Sequence, residues 1–196
     1  MIRLGAHIDM ESTKHETALC LAAVNQNAAN AQQIIIYLCS QSADPNFSTA
    51  DHITPIMYAS RCGAVPGIKQ LFDAGADVNC ELPPGNAAIV LAASNGHHEA
   101  IKTLIDLKAD PNHETNDGLT PLICASNAQS DASVRELISR GAKPEVESKY
   151  GDTALMTAVS ESSIDLDWKC ASSFKPLLAS QPISQSPSLS ATHSQL

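Results

Sequence analysis

Aromatic residues are scarce: Phe, Trp and Tyr together make up 4% of the 196 residues. A sandwich or barrel core filled with rings and β-branched runs is therefore disfavoured. Alanine and leucine dominate instead, as in thin helices that pack closely. Nowhere does the chain approach the roughly 18 consecutive apolar residues of a membrane span. The opening "MIRLGAHIDM" lacks the apolar core and small-residue cleavage site of a secretory signal. Positive charge is also short, with 12 Lys and Arg against 21 Asp and Glu and a formal net charge of -9. Such a chain repels phosphate backbones and anionic membrane surfaces, so neither nucleic acid nor membrane is expected as a direct partner. The six cysteines, Cys20, Cys39, Cys62, Cys80, Cys124 and Cys170, contain no Cys-x-x-Cys pair. A chain of this length needs no covalent staples. The thiols read as reduced, mostly buried hydrophobes of a cytoplasmic or nuclear protein.

Signatures of catalysis are missing too. There is no H-E-x-x-H, G-x-S-x-G, Walker A or G-x-G-x-x-G phrase. Ser172-Ser173-Phe174-Lys175 formally contains S-x-x-K, with nothing nearby to orient it. His97-His98-Glu99 is the densest group of candidate metal ligands. Adjacent helical residues point about 100° apart, which makes them a poor bidentate pair. No cysteine has a base partner to make it a nucleophile. The expectation is no catalytic residue, no cofactor, no metal and no enzyme.

What the chain does have is a period. Thr54, Ala87, Thr120 and Thr153 recur at steps of 33, as do Ala59, Ala92, Ala125 and Ala158. Ile68, Ile101 and Val134 follow, then Leu71, Leu104 and Leu137, then Gly75, Lys108 and Gly141, with Asn79 and Asn112 behind them. An earlier copy begins at Thr17 and regains register by Leu38, so four residues are inserted between Ala22 and Ile35. This polar insertion is expected in a solvent-exposed turn. Each unit reads as helix, turn, helix and loop. Thr120 caps a helix that starts at Pro121, and Val134, Leu137 and Ile138 share one face of the next. Gly141 supplies a left-handed helix end, and Asn116-Asp117-Gly118 is a turn signal suited to a hairpin tip.

This pattern resembles the ankyrin repeat, with its T-P-L-H-x-A-A, G-H, L-L and G-A-D-x-N phrases. The resemblance implies an all-α solenoid of stacked helix-turn-helix units joined by β-hairpin-like finger loops. It divides residues 1–171 into a partial repeat at 1–12, repeats at about 13–46, 47–79, 80–112 and 113–145, and an incomplete one at 146–171. Residues 172–196, rich in Ser, Pro and Gln, are expected to be a disordered tail. Both ends look cut. "LGAHID" matches the tail of a repeat whose helices would precede Met1, and Asp167 breaks the fifth second-helix pattern that Ile164, Leu166 and Trp168 could improvise. The family histidine is absent from every copy, its place expected to fall to Cys20, Met57, Val90, Cys124 and Met156, and Lys108 replaces a closing glycine. "ESTKHETALCLAA" and "GADVNCELPPGNAAIVLAA" are similar to arrays of ankyrin-repeat and KH-domain proteins.

Function follows from what the period leaves free. Stacked units make an extended concave surface, suited to an adaptor or scaffold that binds another protein. The alternative is an ankyrin segment of a larger protein whose enzymatic or RNA-binding KH domain lies outside this chain. The candidate partner-binding residues at the finger loops are His52, Glu81, Asn86, His113, Glu114, Asn116, Lys149 and Tyr150. On the inner helices they are Tyr58, Arg61, Asn95 and Asn127. Tyr58, Arg61 and Tyr150 rank first, because aromatic and Arg side chains dominate interface hot spots. The acidity favours a partner with a basic patch. The Asp-x-Asn phrases are expected to bond local backbone. The resemblance also makes Asn79 a possible substrate of an asparaginyl hydroxylase, in the context of Leu71 and Val78.

Overall fold

The structure, a computed structural model, describes residues 7–25 and 27–161. Among these residues the regular elements are helices, in antiparallel pairs: α1 (Ala18–Ala23) with α2 (Ala28–Ser40), α3 (Pro55–Arg61) with α4 (Val65–Asp73), α5 (Ala88–Ser94) with α6 (His98–Asp106), α7 (Pro121–Asn127) with α8 (Asp131–Ser139), and then α9 (Ala154–Glu161). A lone β-bridge joins Leu82 and Asn86. The odd-numbered helices stack in an inner row and α2, α4, α6 and α8 in an outer row, as an all-α solenoid requires. The improvised helix at Ile164 to Trp168 and the tail 172–196 lie outside the described residues.

Local chemistry explains where the inner helices begin. The hydroxyls of Thr17, Thr54, Thr120 and Thr153 accept hydrogen bonds from the backbone N–H of Cys20, Met57, Ile123 and Met156 at 3.2–3.4 Å. Each satisfies one of the orphan donors of a helix start. This also corrects the histidine position of the fourth unit: Ile123, not Cys124, stands third after the capping threonine. Ala87 provides no such cap in the third unit. Pro55 and Pro121 occupy the first helical turn, where their missing N–H costs nothing.

The outer helices end alike. Ser42, Gly75, Lys108 and Gly141 are left-handed, at φ 71°, 96°, 74° and 88°. The next residue's N–H then donates back to the carbonyl of Leu38, Leu71, Leu104 or Leu137 at 2.9–3.0 Å. Lys108 therefore closes its helix as a glycine would, at a left-handed cost of about 1 kcal/mol. The inserted residues do not form a turn. They lengthen the outer helix of the first unit, so α2 has 13 residues where α4, α6 and α8 each have nine. Ala and Gln are good helix formers, and the Asn27 side chain caps the added turn by accepting from Asn30 N at 3.2 Å.

One core runs the length of the array, with Leu19, Ile35, Ile56, Met57, Ile68, Leu71, Ile101, Leu104, Leu122 and Leu137 fully buried. Units meet closely. A Cβ on Gly67 of α4 would lie 1.9 Å from the Ala23 carbonyl oxygen of α1, so only glycine fits there. The thiols are less buried than the sequence suggests: Cys20 and Cys124 are buried, Cys39 and Cys80 half-buried and Cys62 exposed, all five free. Desolvation pushes the Cys20 and Cys124 thiols up, which suits packing rather than nucleophilic chemistry.

Candidate partner-binding surface

Five finger turns line one edge of the array. Each is closed by a backbone bond from its first to its fifth residue: Ser12 to Glu16, Thr49 to Ile53, Leu82 to Asn86, Thr115 to Leu119 and Ser148 to Asp152, at 2.9–3.1 Å. The fourth residue is left-handed in all five. It is glycine in the last three, Gly85, Gly118 and Gly151, but His15 and His52 in the first two, each at φ 54°. Neighbouring fingers are stitched together. Lys149 N donates to the Asp117 carbonyl at 3.0 Å, Asn86 Nδ2 to the His52 carbonyl at 3.4 Å, and Ala50 N to Glu11 Oε1 at 3.0 Å.

The finger side chains do not form one uniform edge. His52, Glu81, Glu114, Asn116, Lys149 and Tyr150 are exposed, Tyr150 at 77%. Asn86 is half-buried, its amide engaged with the previous finger. His113 is half-buried as well, and its Nε2 is enclosed without a hydrogen-bond partner. It shares a repeat position with Phe47, Cys80 and Val146, all half-buried, so its ring lies under the finger and not at the tip. Sequence reasoning missed an acidic line: Glu81, Glu114 and Glu147 are exposed and 33 residues apart, with Glu11 at the matching place in the first finger.

The inner face carries a more organised cluster. The Tyr58 hydroxyl donates to Glu16 Oε1, and the Arg61 guanidinium lies over the Tyr58 ring, 4.8 Å from its centroid. The bond to the Glu16 carboxylate, and then burial, push the Tyr58 phenol up to about 12. From the next unit His97 Nε2 contacts the Arg61 carbonyl at 3.1 Å, a structural role for a residue considered as a ligand. Among the described residues no group of three or more His, Cys, Asp or Glu could hold a metal ion. Asn95 is exposed but turned onto its own helix, donating from Nδ2 to the Leu91 carbonyl at 2.8 Å. Asn127 is exposed. Glu16 and the half-exposed Leu21, with half-buried Leu91, complete this face. None of the three was singled out by sequence.

The Asp-x-Asn phrases act locally as expected. Asp44, Asp77 and Asp110 accept from Asn46, Asn79 and Asn112 N at 2.8–2.9 Å. The asparagines also reach the next unit: Asn46, Asn79 and Asn112 Nδ2 donate to the carbonyls of Gly75, Lys108 and Gly141 at 3.1–3.2 Å.

This is the geometry of an ankyrin array. The family model described as ankyrin repeats (3 copies) matches residues 1–82 and again 84–166, and the chain belongs to the ankyrin-repeat family. Ankyrin repeats generally serve as protein–protein interaction modules, on a non-enzymatic interaction fold. No curated protein matches the chain.

Proposed function

We propose that the chain is an adaptor or scaffold, holding another protein against its inner helices and finger edge. The observation that carries this reading is the Glu16–Tyr58–Arg61 cluster, an aromatic and a cation ordered on the inner face outside the core. Exposed His52, Glu114, Asn116, Lys149 and Tyr150 extend the surface along the fingers. The Glu81, Glu114 and Glu147 line favours a basic patch on the partner, which would steer encounter and make binding salt-sensitive. We infer a cytoplasmic or nuclear location, a reading supported by the five free thiols among the described residues. Asn79 is proposed as a hydroxylation site. The peptide carrying it, from protein made in cells, would then gain the mass of one oxygen, and an unmodified peptide removes the proposal.

The test of the main reading is capture from cell lysate on the full chain and on a variant with His52, Glu81, Glu114, Tyr58 and Tyr150 replaced by Ser. Circular dichroism melts establish equal folding. A partner held by the first bait and lost from the second is the expected result. A partner held equally by both removes the assignment of this surface.

A further inference from the structure

Arg61 is the one charged residue in the inner helices α1, α3, α5 and α7. It is also treated differently from the other described arginines. Arg140 is clamped between Asp106 at 2.7 Å and Glu136 at 3.0 Å, and Arg135 has Asp131 at 4.0 Å. Among the described residues no carboxylate comes within ion-pair distance of Arg61, and its guanidinium has no protein acceptor. Yet the side chain is organised. Tyr58 supports its flat face, Glu16 anchors the Tyr58 hydroxyl, and His97 ties down the backbone beneath it. A guanidinium stacked on a ring still directs its N–H edge outward, in the fork that fits an oxyanion bidentately.

The surroundings narrow the ligand. At the position of Tyr58 the neighbouring units carry Leu21, 48% exposed, and half-buried Leu91, and beside Arg61 stand Val24 and Ser94. One cation therefore sits among apolar and uncharged inner-helix positions, with the Glu16 carboxylate at the far end of Tyr58, in a protein whose net charge is -9. A phosphate would bring close to two negative charges to a single arginine, beside Glu16 and the acidic fingers. A carboxylate brings one, and it can be flanked by apolar neighbours.

We propose that Arg61, laid on Tyr58, is a subsite for one Asp or Glu side chain of the partner, with apolar residues of the same segment resting on Leu21 and Leu91. This rests on the reading of the inner face as partner-binding. The partner segment is bipolar: its basic residues follow the finger line of Glu81, Glu114 and Glu147, and its acid enters the strip.

A random dodecapeptide display library panned on the full chain tests this. The recovered peptides are expected to share one Asp or Glu between apolar residues. Arg61→Gln should weaken a synthetic representative by about tenfold or more, and so should the amide form of its acid, while the two changes together add little. Arg61→Lys, which keeps the charge and loses the fork, should fall between. Arg61→Glu should regain binding to a peptide with Lys in place of the acid, a rescue no merely structural role for Arg61 would give. Peptides without an acid, binding within about twofold after Arg61→Gln, or clear preference for a phosphorylated peptide would each overturn the subsite. If such peptides are still lost on replacing the finger and inner-face side chains, the adaptor reading survives. If they are not, or if no peptide is enriched, both fail.

Discussion

The first unit and the three that follow have the same two-helix plan but opposite surfaces. Neither α1 nor α2 contains a charged residue, whereas α4, α6 and α8 each carry two or three. Where the later outer helices place Gly67, Ala100 and Ser133 against the preceding unit, α2 has Ile34, 40% exposed. Where they place Lys69, Lys102 and Arg135 toward solvent, it has Ile36 at 59%. Tyr37, 56% exposed, stands where Thr103 is buried. One repeat position can thus be core or surface. The neighbour decides, and side-chain size follows the seam that the neighbour makes.

The sharpest way to break this comparison is to put bulk into the seam. Gly67→Val drives a side chain into the Ala23 carbonyl and should cost about 3 kcal/mol or more in urea unfolding. Ile34→Ala, at the matching place on α2, should cost less than about 1 kcal/mol, because little is buried there. Equal losses would mean that the neighbouring unit does not set the difference between these two positions. Asn112→Ala removes both the bond to the Gly141 carbonyl and the one from Lys143 N, and should cost about 1–2 kcal/mol. Thr120→Ala, which loses only a helix cap, should cost about 1 kcal/mol by the same assay. In hydrogen exchange the amides of α1, which among the described helices packs only on α2, α3 and α4, should exchange at least about tenfold faster than those of α5, packed between α3 and α7.

A subtler difference concerns pH. The Tyr58 phenol is held above its ordinary value near 10, at about 12. The folded state therefore keeps that proton where the unfolded chain loses it. The stabilisation is complete below pH ~10 and fades as pH rises toward about 12. Urea melts at pH 9 and 11 should show a steeper loss in the native chain than in Tyr58→Phe; identical losses would show that Glu16 does not hold the phenol. Smallest of all, Lys108→Gly should stabilise by about 0.5–1 kcal/mol by relieving a left-handed lysine.

Most of the fold was legible because stacking repeats its demands every 33 residues: threonine caps, small inner alanines and helix-ending glycines each recur where the physics needs them. The insertion was misread because polarity was weighed above helix propensity, although Ala and Gln carry the added turn of α2. By sequence His113 counts among the finger-loop residues. Its repeat partners Phe47, Cys80 and Val146 signalled a half-buried place and could have been used. Asn95 could not be assigned from sequence, because an exposed amide can face a partner or its own helix. Tyr58 and Arg61 were readable as candidates, but the Glu16 bond that organises them spans 42 residues and leaves no local signal.

The asparagine amides have a mechanical consequence. Asn46, Asn79 and Asn112 each span 29 residues to grip a carbonyl on the next loop, forming a row of short ties along one side of the solenoid. Bending that opens this side must stretch every tie at once. Bending the other way loads only helix packing, which yields gradually. These ties should make the array stiffer against opening on the loop side than against bending the other way, with an end load passed along the loops from one amide to the next.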